Sequence, residues 1–182
     1  MTVYELWLPI LLAGLAVHVC STLAWVVLPH HKPEWTRLEG EDDLIDWLDA
    51  RGVPVGQYVF PFAADHDGTS EKFKSQAARC RGTLVLWPHV PSMGKNIALT
   101  LTHFLAAAAV IGYLASLALS PGDGFWAVFQ FTAVAGVLTH VFCGLSNVIW
   151  FRRKVLMDLI DGAVYAAVTG LVFASLWPGA AG

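Results

Sequence analysis

Residues 125–154, FWAVFQFTAVAGVLTHVFCGLSNVIWFRRK, decide how the rest of the chain is read. The 27 residues 125–151 carry no charge. At about 1.5 Å per residue such a helix crosses a hydrocarbon core of about 30 Å with room to tilt. Trp126 and Trp150 stand near its ends, and Arg152, Arg153 and Lys154 close it, a pattern that stops a spanning helix on the cytoplasmic side. Within it Ala133, Gly136, His140, Gly144 and Asn147 recur at spacings of three and four, forming a narrow small and polar stripe on an otherwise bulky helix. That stripe is the expected docking face for neighbours.

Three more apolar runs flank this one. Residues 6–28 have Trp7 and Trp25 near their ends and are followed by Pro29. The residues before this run include Glu5 and no Lys or Arg, and no A-x-A site follows, so it is expected to remain a transmembrane helix rather than be cleaved as a signal peptide. Residues 97–119 are thin through Ala106, Ala107, Ala108, Ala109 and Gly112. Residues 159–177 place Gly162, Ala166, Gly170 and Ala174 at every fourth position, as a packing helix does, after a short turn expected to hold Asp158 and Asp161.

Residues 29–96 are the one stretch with the composition of a water-soluble unit. Acids alternate with Leu44, Trp47 and Leu48 at helical spacing up to Gly52, and residues 55–60 read as a strand. Residues 65–68 form a turn, Thr69 or Ser70 caps a second helix running to about Arg79, and residues 83–87 form a second strand. The expected fold is an all-α membrane bundle of four transmembrane helices, both termini outside, with a small α+β cytoplasmic module inserted between helices 1 and 2. Helix 1 (residues 1–28) packs with helices 2, 3 and 4 (residues 97–182) as one bundle.

Composition agrees with this architecture. Hydrophobic residues make up 56% of the chain and charged residues 14%, outside the balance of soluble domains. A net charge of -3 without a basic arm gives no reason to expect a nucleic-acid partner. Cys20, Cys80 and Cys143 are far apart and lack CxxC or zinc-type spacing, which argues against a disulfide framework.

Three groups of residues could carry chemistry, and a fourth set is expected to pack helices together. His18 and His140 lie at matching depths of about 15 Å from the cytoplasmic boundary. Two imidazoles facing each other in a bundle hold membrane b-type haem, so this pair is a candidate haem site; bonding to Ser21, Thr22 or Asn147 is the alternative. His30, His31 and His89 bracket the inserted module at the inner interface, with Glu34, Asp158 and Asp161 within reach, and could ligate zinc or iron as imidazole plus carboxylate. No HExxH or Glu-x-x-His pair accompanies them, and anchoring of the helix ends is the competing account. Lys95, Arg152, Arg153 and Lys154 form a basic cluster suited to anionic lipid or a phosphate group. Gly136, Gly144, Asn147, Gly162, Ala166 and Gly170 are the expected helix-packing positions.

Read in this way, the chain is a multi-pass protein of a bacterial inner (cytoplasmic) membrane. Its expected contacts are membrane lipids and a membrane protein partner or a second copy. A non-catalytic accessory or scaffold subunit is the leading expectation, followed by a redox or metal-dependent enzyme and by a small oligomeric transporter or channel. The absence of Asp, Glu, Lys and Arg deep inside the spans weakens transport.

All eleven Lys and Arg fall in two segments, eight within residues 29–95 and three within 152–154. Four spans put both on one side, and the positive-inside rule assigns that side to the cytoplasm. Reporter fusions at Gly68 and Lys154 should therefore read as cytoplasmic, and at Gly122 as external. Gly68 and Gly122 reporting from the same side would end the four-span topology.

Overall fold

Each of the four apolar runs is helical, and each is long and apolar enough to cross a membrane: Val3–Val27, Met93–Ala118, Phe125–Trp150 and Leu156–Ser175. The computed structural model describes residues 1–63, 68–151 and 154–179, in which the chain divides into two units, Met1–Thr36 with Met93–Gly182 and Arg37–Ser92. In chain order the elements are α1 (Trp7–Thr22), α2 (Glu41–Ala50), β1 (Gly56–Phe60), α3 (Glu71–Arg79), β2 (Gly82–Leu86), α4 (Met93–Ala118), α5 (Phe125–His140), α6 (Leu145–Trp150) and α7 (Leu156–Ser175).

In the helical unit, small residues set how closely the helices approach. A Cβ added to Gly136 would lie 2.9 Å from the Ala166 Cα, and one on Gly170 would lie 2.9 Å from the Ala133 Cβ, so α5 and α7 meet nearly backbone to backbone. Gly14 on α1 does the same against Leu105 of α4, and Gly112 on α4 against Ile10. Between these contacts Leu6, Ala13, Ile111, Ala115, Val128 and Phe173 are buried in one apolar cluster. Thr132 and Thr169, also buried, donate to the carbonyls of Val128 and Tyr165 four residues earlier, which satisfies their hydroxyls within their own helices. Trp177, just beyond the end of α7, is buried, and its indole N–H donates to the Ser120 carbonyl at 3.0 Å. Facing outward along the same helices are Leu11, Leu15, Val19, Val110, Leu117, Val134, Leu138 and Leu171.

Two features depart from the sequence reading. Residues 125–151 are not one continuous helix: α5 stops at His140, a 3-10 turn covers Phe142–Gly144, and α6 resumes to Trp150. Gly144 weakens the helix there by about 1 kcal/mol relative to alanine. At the same point α7 comes so close that a Cβ on Gly162 would lie 2.7 Å from the His140 carbonyl oxygen. The fourth helix also begins earlier than expected, at Leu156, so Asp158 and Asp161 belong to its first turns rather than to a preceding loop.

The second unit is the helix, strand, helix, strand module. Three acids open α2, next to the unpaired N–H groups and the positive end of the helix dipole. Ser70 caps α3, its hydroxyl accepting from the Phe73 N–H. β1 and β2 pair antiparallel, with Tyr58 opposite Leu84 and Gly56 opposite Leu86. Tyr58, Leu84 and Leu86 are half-buried, as are Leu44, Leu48 and Phe73, while none of this unit's described residues is fully buried. That follows from a chain segment near the lower size limit for a core of its own.

The glycine contacts predict a graded response. Gly162→Ala, whose new methyl meets backbone, should destabilise the protein by about 1 to 3 kcal/mol. Gly144→Ala, with nothing within 4 Å of the added carbon, should not destabilise it. Thermal melting in detergent measures both, and equal melting temperatures would remove the close α5 to α7 contact from the account.

Candidate metal centre

Pro29 ends the first span, and the chain turns back through a short 3-10 segment, Lys32–Glu34, closed by hydrogen bonds from the Lys32 and Glu34 N–H groups to the Pro29 and His31 carbonyls. This turn carries two adjacent histidines and a glutamate. Asp158 and Asp161 are three residues apart at the start of α7, a spacing that brings both to one helix face. The fold brings the two sets together.

Asp161, 8% exposed, is the meeting point. His30 Nε2 lies 3.1 and 3.3 Å from its two carboxylate oxygens, and His31 Nε2 lies 2.9 Å from Oδ2. Behind His31, its other nitrogen, Nδ1, stands 3.0 Å from Glu34 Oε2, an ion-pair contact that lacks hydrogen-bond geometry. His31 Nδ1 and Glu34 Oε1 are therefore buried without a hydrogen-bond partner. The indole of Trp25 stacks flat on the His31 ring, centroids 3.8 Å apart and planes 9° from parallel, which fixes the imidazole plane. Lys154 holds the same turn from another direction, its ammonium donating to the Pro33 carbonyl.

The geometry suits a cation. His30, His31 and Asp161 form one set whose ligand atoms lie within 4.8 Å of one another, and His31, Glu34 and Asp158 form a second. Ligands about 2.1 Å from a metal stand about 3.0 to 3.4 Å apart, which matches the 2.9 to 3.3 Å separations around Asp161. Glu34, 3.0 Å from Nδ1 of a histidine whose Nε2 points at Asp161, stands where a carboxylate would orient a ligating imidazole.

Alongside lies a cavity of about 210 Å³, opened by the break between α5 and α6 and lined by His140, Cys143, Gly144, Asp158, Asp161 and Tyr165, among others. Tyr165 is one turn beyond Asp161 and 8% exposed. Its hydroxyl is buried without a hydrogen-bond partner, Ser21 coming near but outside hydrogen-bond geometry. The His140 ring meets that of Tyr165 edge to face at 6.0 Å.

The other residues singled out from sequence are placed as follows. The ring of Phe104 packs against both His18 and His140, with centroids 6.3 and 6.0 Å away, and also meets His103 at 5.4 Å and Tyr165 at 5.8 Å. His18 Nδ1 is buried without a hydrogen-bond partner. Neither His18 nor His140 belongs to a set of converging ligand atoms among the described residues. His89 is exposed in the second unit. Lys95 is exposed on the first turn of α4, and Arg152 and Arg153 lie outside the described residues. Gly136, Gly162, Ala166 and Gly170 form the contact between α5 and α7, whereas Gly144 faces open space and Asn147 is exposed. Sequence reasoning placed Trp25 only as a residue near the end of the first apolar run and missed Phe104 and Tyr165. Of these two, Tyr165 left a signal, four residues after Asp161 on the same helix face.

His31 titrates above its ordinary 6.5. Burial, the largest influence, opposes its charge, but the bond to Asp161, the close contact with Glu34 and the negative charges of both together outweigh it. A raised folded-state pKa means that this histidine stabilises the fold fully below about pH 6.5 and ceases to do so as pH rises through the folded value. With a chelator present, the melting temperature should fall as pH rises from about 6.5 upward, and His31→Gln should flatten that slope. The groups facing His31 are Asp161, Glu34, Asp158, His30 and Trp25. An unchanged slope in the variant would show that His31 is not held as an imidazolium.

Comparison with known protein families, with curated proteins and with solved structures finds no match to this chain.

Proposed function

We propose that this chain is a multi-pass protein of a cytoplasmic membrane that binds one divalent transition-metal cation with His30, His31 and Asp161 at the cytoplasmic end of its helices. The observation that carries the reading is the convergence of two imidazole Nε2 atoms on one buried carboxylate, with Glu34 behind the inner imidazole. Two imidazoles and a carboxylate suit zinc or ferrous iron and leave coordination positions open. An ion held in this way acts as a Lewis acid, so a metal-dependent enzyme is the favoured class.

Two further observations support this reading. The large outward side chains along the four long helices are leucine, valine, isoleucine and aromatic residues, a surface stable in hydrocarbon and prone to association in water. The one-sided Lys and Arg distribution favours termini outside and residues 29–96 inside. A scaffold role rested on the small-residue stripes as docking faces for a partner. Gly136, Gly162, Ala166 and Gly170 are engaged within the chain itself, which leaves the metal cluster as the stronger motive.

Titration of detergent-purified, chelator-stripped protein with Zn(II) or Co(II) tests the proposal. One equivalent should bind; Asp161→Ala should abolish the binding, and Glu34→Gln should weaken it by about 10- to 100-fold. Absence of saturable binding, or equal affinity in the Asp161 variant, would leave the cluster as an ion pair that ties the 29–34 turn to α7.

A further inference from the structure

We infer that two copies of this chain associate in the membrane along the outward face of α4, the two His103 imidazoles meeting across the two-fold axis. This rests on the membrane-spanning reading above and is independent of the metal site. Spacing defines the face. Asn96, His103, Val110 and Leu117 recur every seven residues, and Leu99, Ala106 and Tyr113 each follow one of them by three. All are exposed, whereas Phe104, Ala108, Ile111 and Ala115 of the same helix turn into the bundle and are buried. Alternation of three and four is the a and d pattern of a coiled coil, which keeps one seam against a second helix crossing at about 20°. From Asn96 to Leu117 the seam rises about 30 Å, the thickness of a hydrocarbon core.

His103 sets this face apart from the other outward faces. Of the three histidines inside the spans, His18 and His140 are partly buried and His103 alone is exposed. It stands within one turn of the middle of α4 (Met93–Ala118), which puts it near the centre of the bilayer. Among the described residues its imidazole has no hydrogen-bond partner; it packs beside the Phe104 ring, centroids 5.4 Å apart. Hydrocarbon offers such a group nothing to bond, so a polar side chain at this depth is directed at protein.

A second copy supplies what the imidazole lacks. Copies inserted with one topology run their α4 helices parallel, and a two-fold axis along the membrane normal brings each seam position against itself. A neutral imidazole has one nitrogen that donates and one that accepts, so two His103 rings satisfy one another. Ala106, one turn further on, is small enough to let the helices approach to that distance. Asn96 repeats the arrangement two turns earlier, and polar residues at a positions fix the register of a coiled coil.

Copies of the full chain labelled at the C-terminus with donor or acceptor fluorophores are mixed in lipid vesicles, and energy transfer is followed as the protein-to-lipid ratio falls. Transfer should vary linearly with acceptor fraction, as it does for dimers, and should decline on dilution with lipid. His103→Leu should weaken association about three- to twentyfold, the weight of an interhelical hydrogen bond in a bilayer. Ala106→Trp should abolish it, since the added ring projects from an exposed position without disturbing a single copy. Leu138→Trp, exposed on α5, should leave it unchanged. Transfer no greater than random proximity gives, or transfer that Leu138→Trp removes while Ala106→Trp does not, would overturn the α4 interface and leave the spanning reading and the metal centre standing. A chain that stays in the aqueous phase rather than in the vesicles would overturn the spanning reading as well.

Discussion

A carboxylate on the buried face of an apolar helix is the constraint on which the arrangement of the helical unit depends. Asp161 lies within the first two turns of α7 and is nearly inaccessible. A buried carboxylate stripped of its partners costs several kcal/mol, so the fold must bring them. They come from about 130 residues away in sequence, from His30 and His31 on the turn after α1. That demand explains why residues 29–36 belong to the helical unit rather than to the module that follows them. Trp25 and Glu34 then fix the orientation of His31 from two sides, and Lys154 ties the turn down through the Pro33 carbonyl.

The helix that carries Asp161 bears two stripes side by side. Gly162, Ala166 and Gly170 form the small one, against which α5 packs at backbone distance. Asp158, Asp161, Tyr165 and Thr169 recur at the same three- and four-residue spacing and form the polar one. Close approach along the first stripe brings the end of α5 next to the second. At that point α5 stops, because the carbonyl of His140 lies against Gly162 and the chain passes through a 3-10 turn before resuming as α6. The cavity beside Asp158 and Asp161 is the geometric consequence of that interruption.

Proton and metal compete for the same atoms in such a cluster. Imidazolium forms of the histidines pair with Asp161 and Glu34 as ions, whereas neutral imidazoles can ligate a cation. The stacking of Trp25 and the Nδ1 contact with Glu34 hold the His31 ring in an orientation that serves either state. Such preorganisation limits what the side chains must reorder when one state replaces the other.

The sequence alone determined which segments are helices of membrane-spanning length, because an uncharged run of 20 or more residues leaves few other ways to satisfy its backbone. It also determined the helix, strand, helix, strand order of the inserted module, through Ser70 as a cap, acids at the start of α2 and alternating apolar residues in the strands. His30, His31, Glu34, Asp158 and Asp161 were legible as a candidate set, since titratable residues at the ends of apolar helices are few. Only the tertiary structure decided that these five converge while Gly144 and Asn147 leave the packing stripe, that Phe104 packs against both His18 and His140, and that Trp177 turns inward. Each of these depends on the rotation and closeness of helices far apart in the chain, which a 3.6-residue period within one helix does not encode.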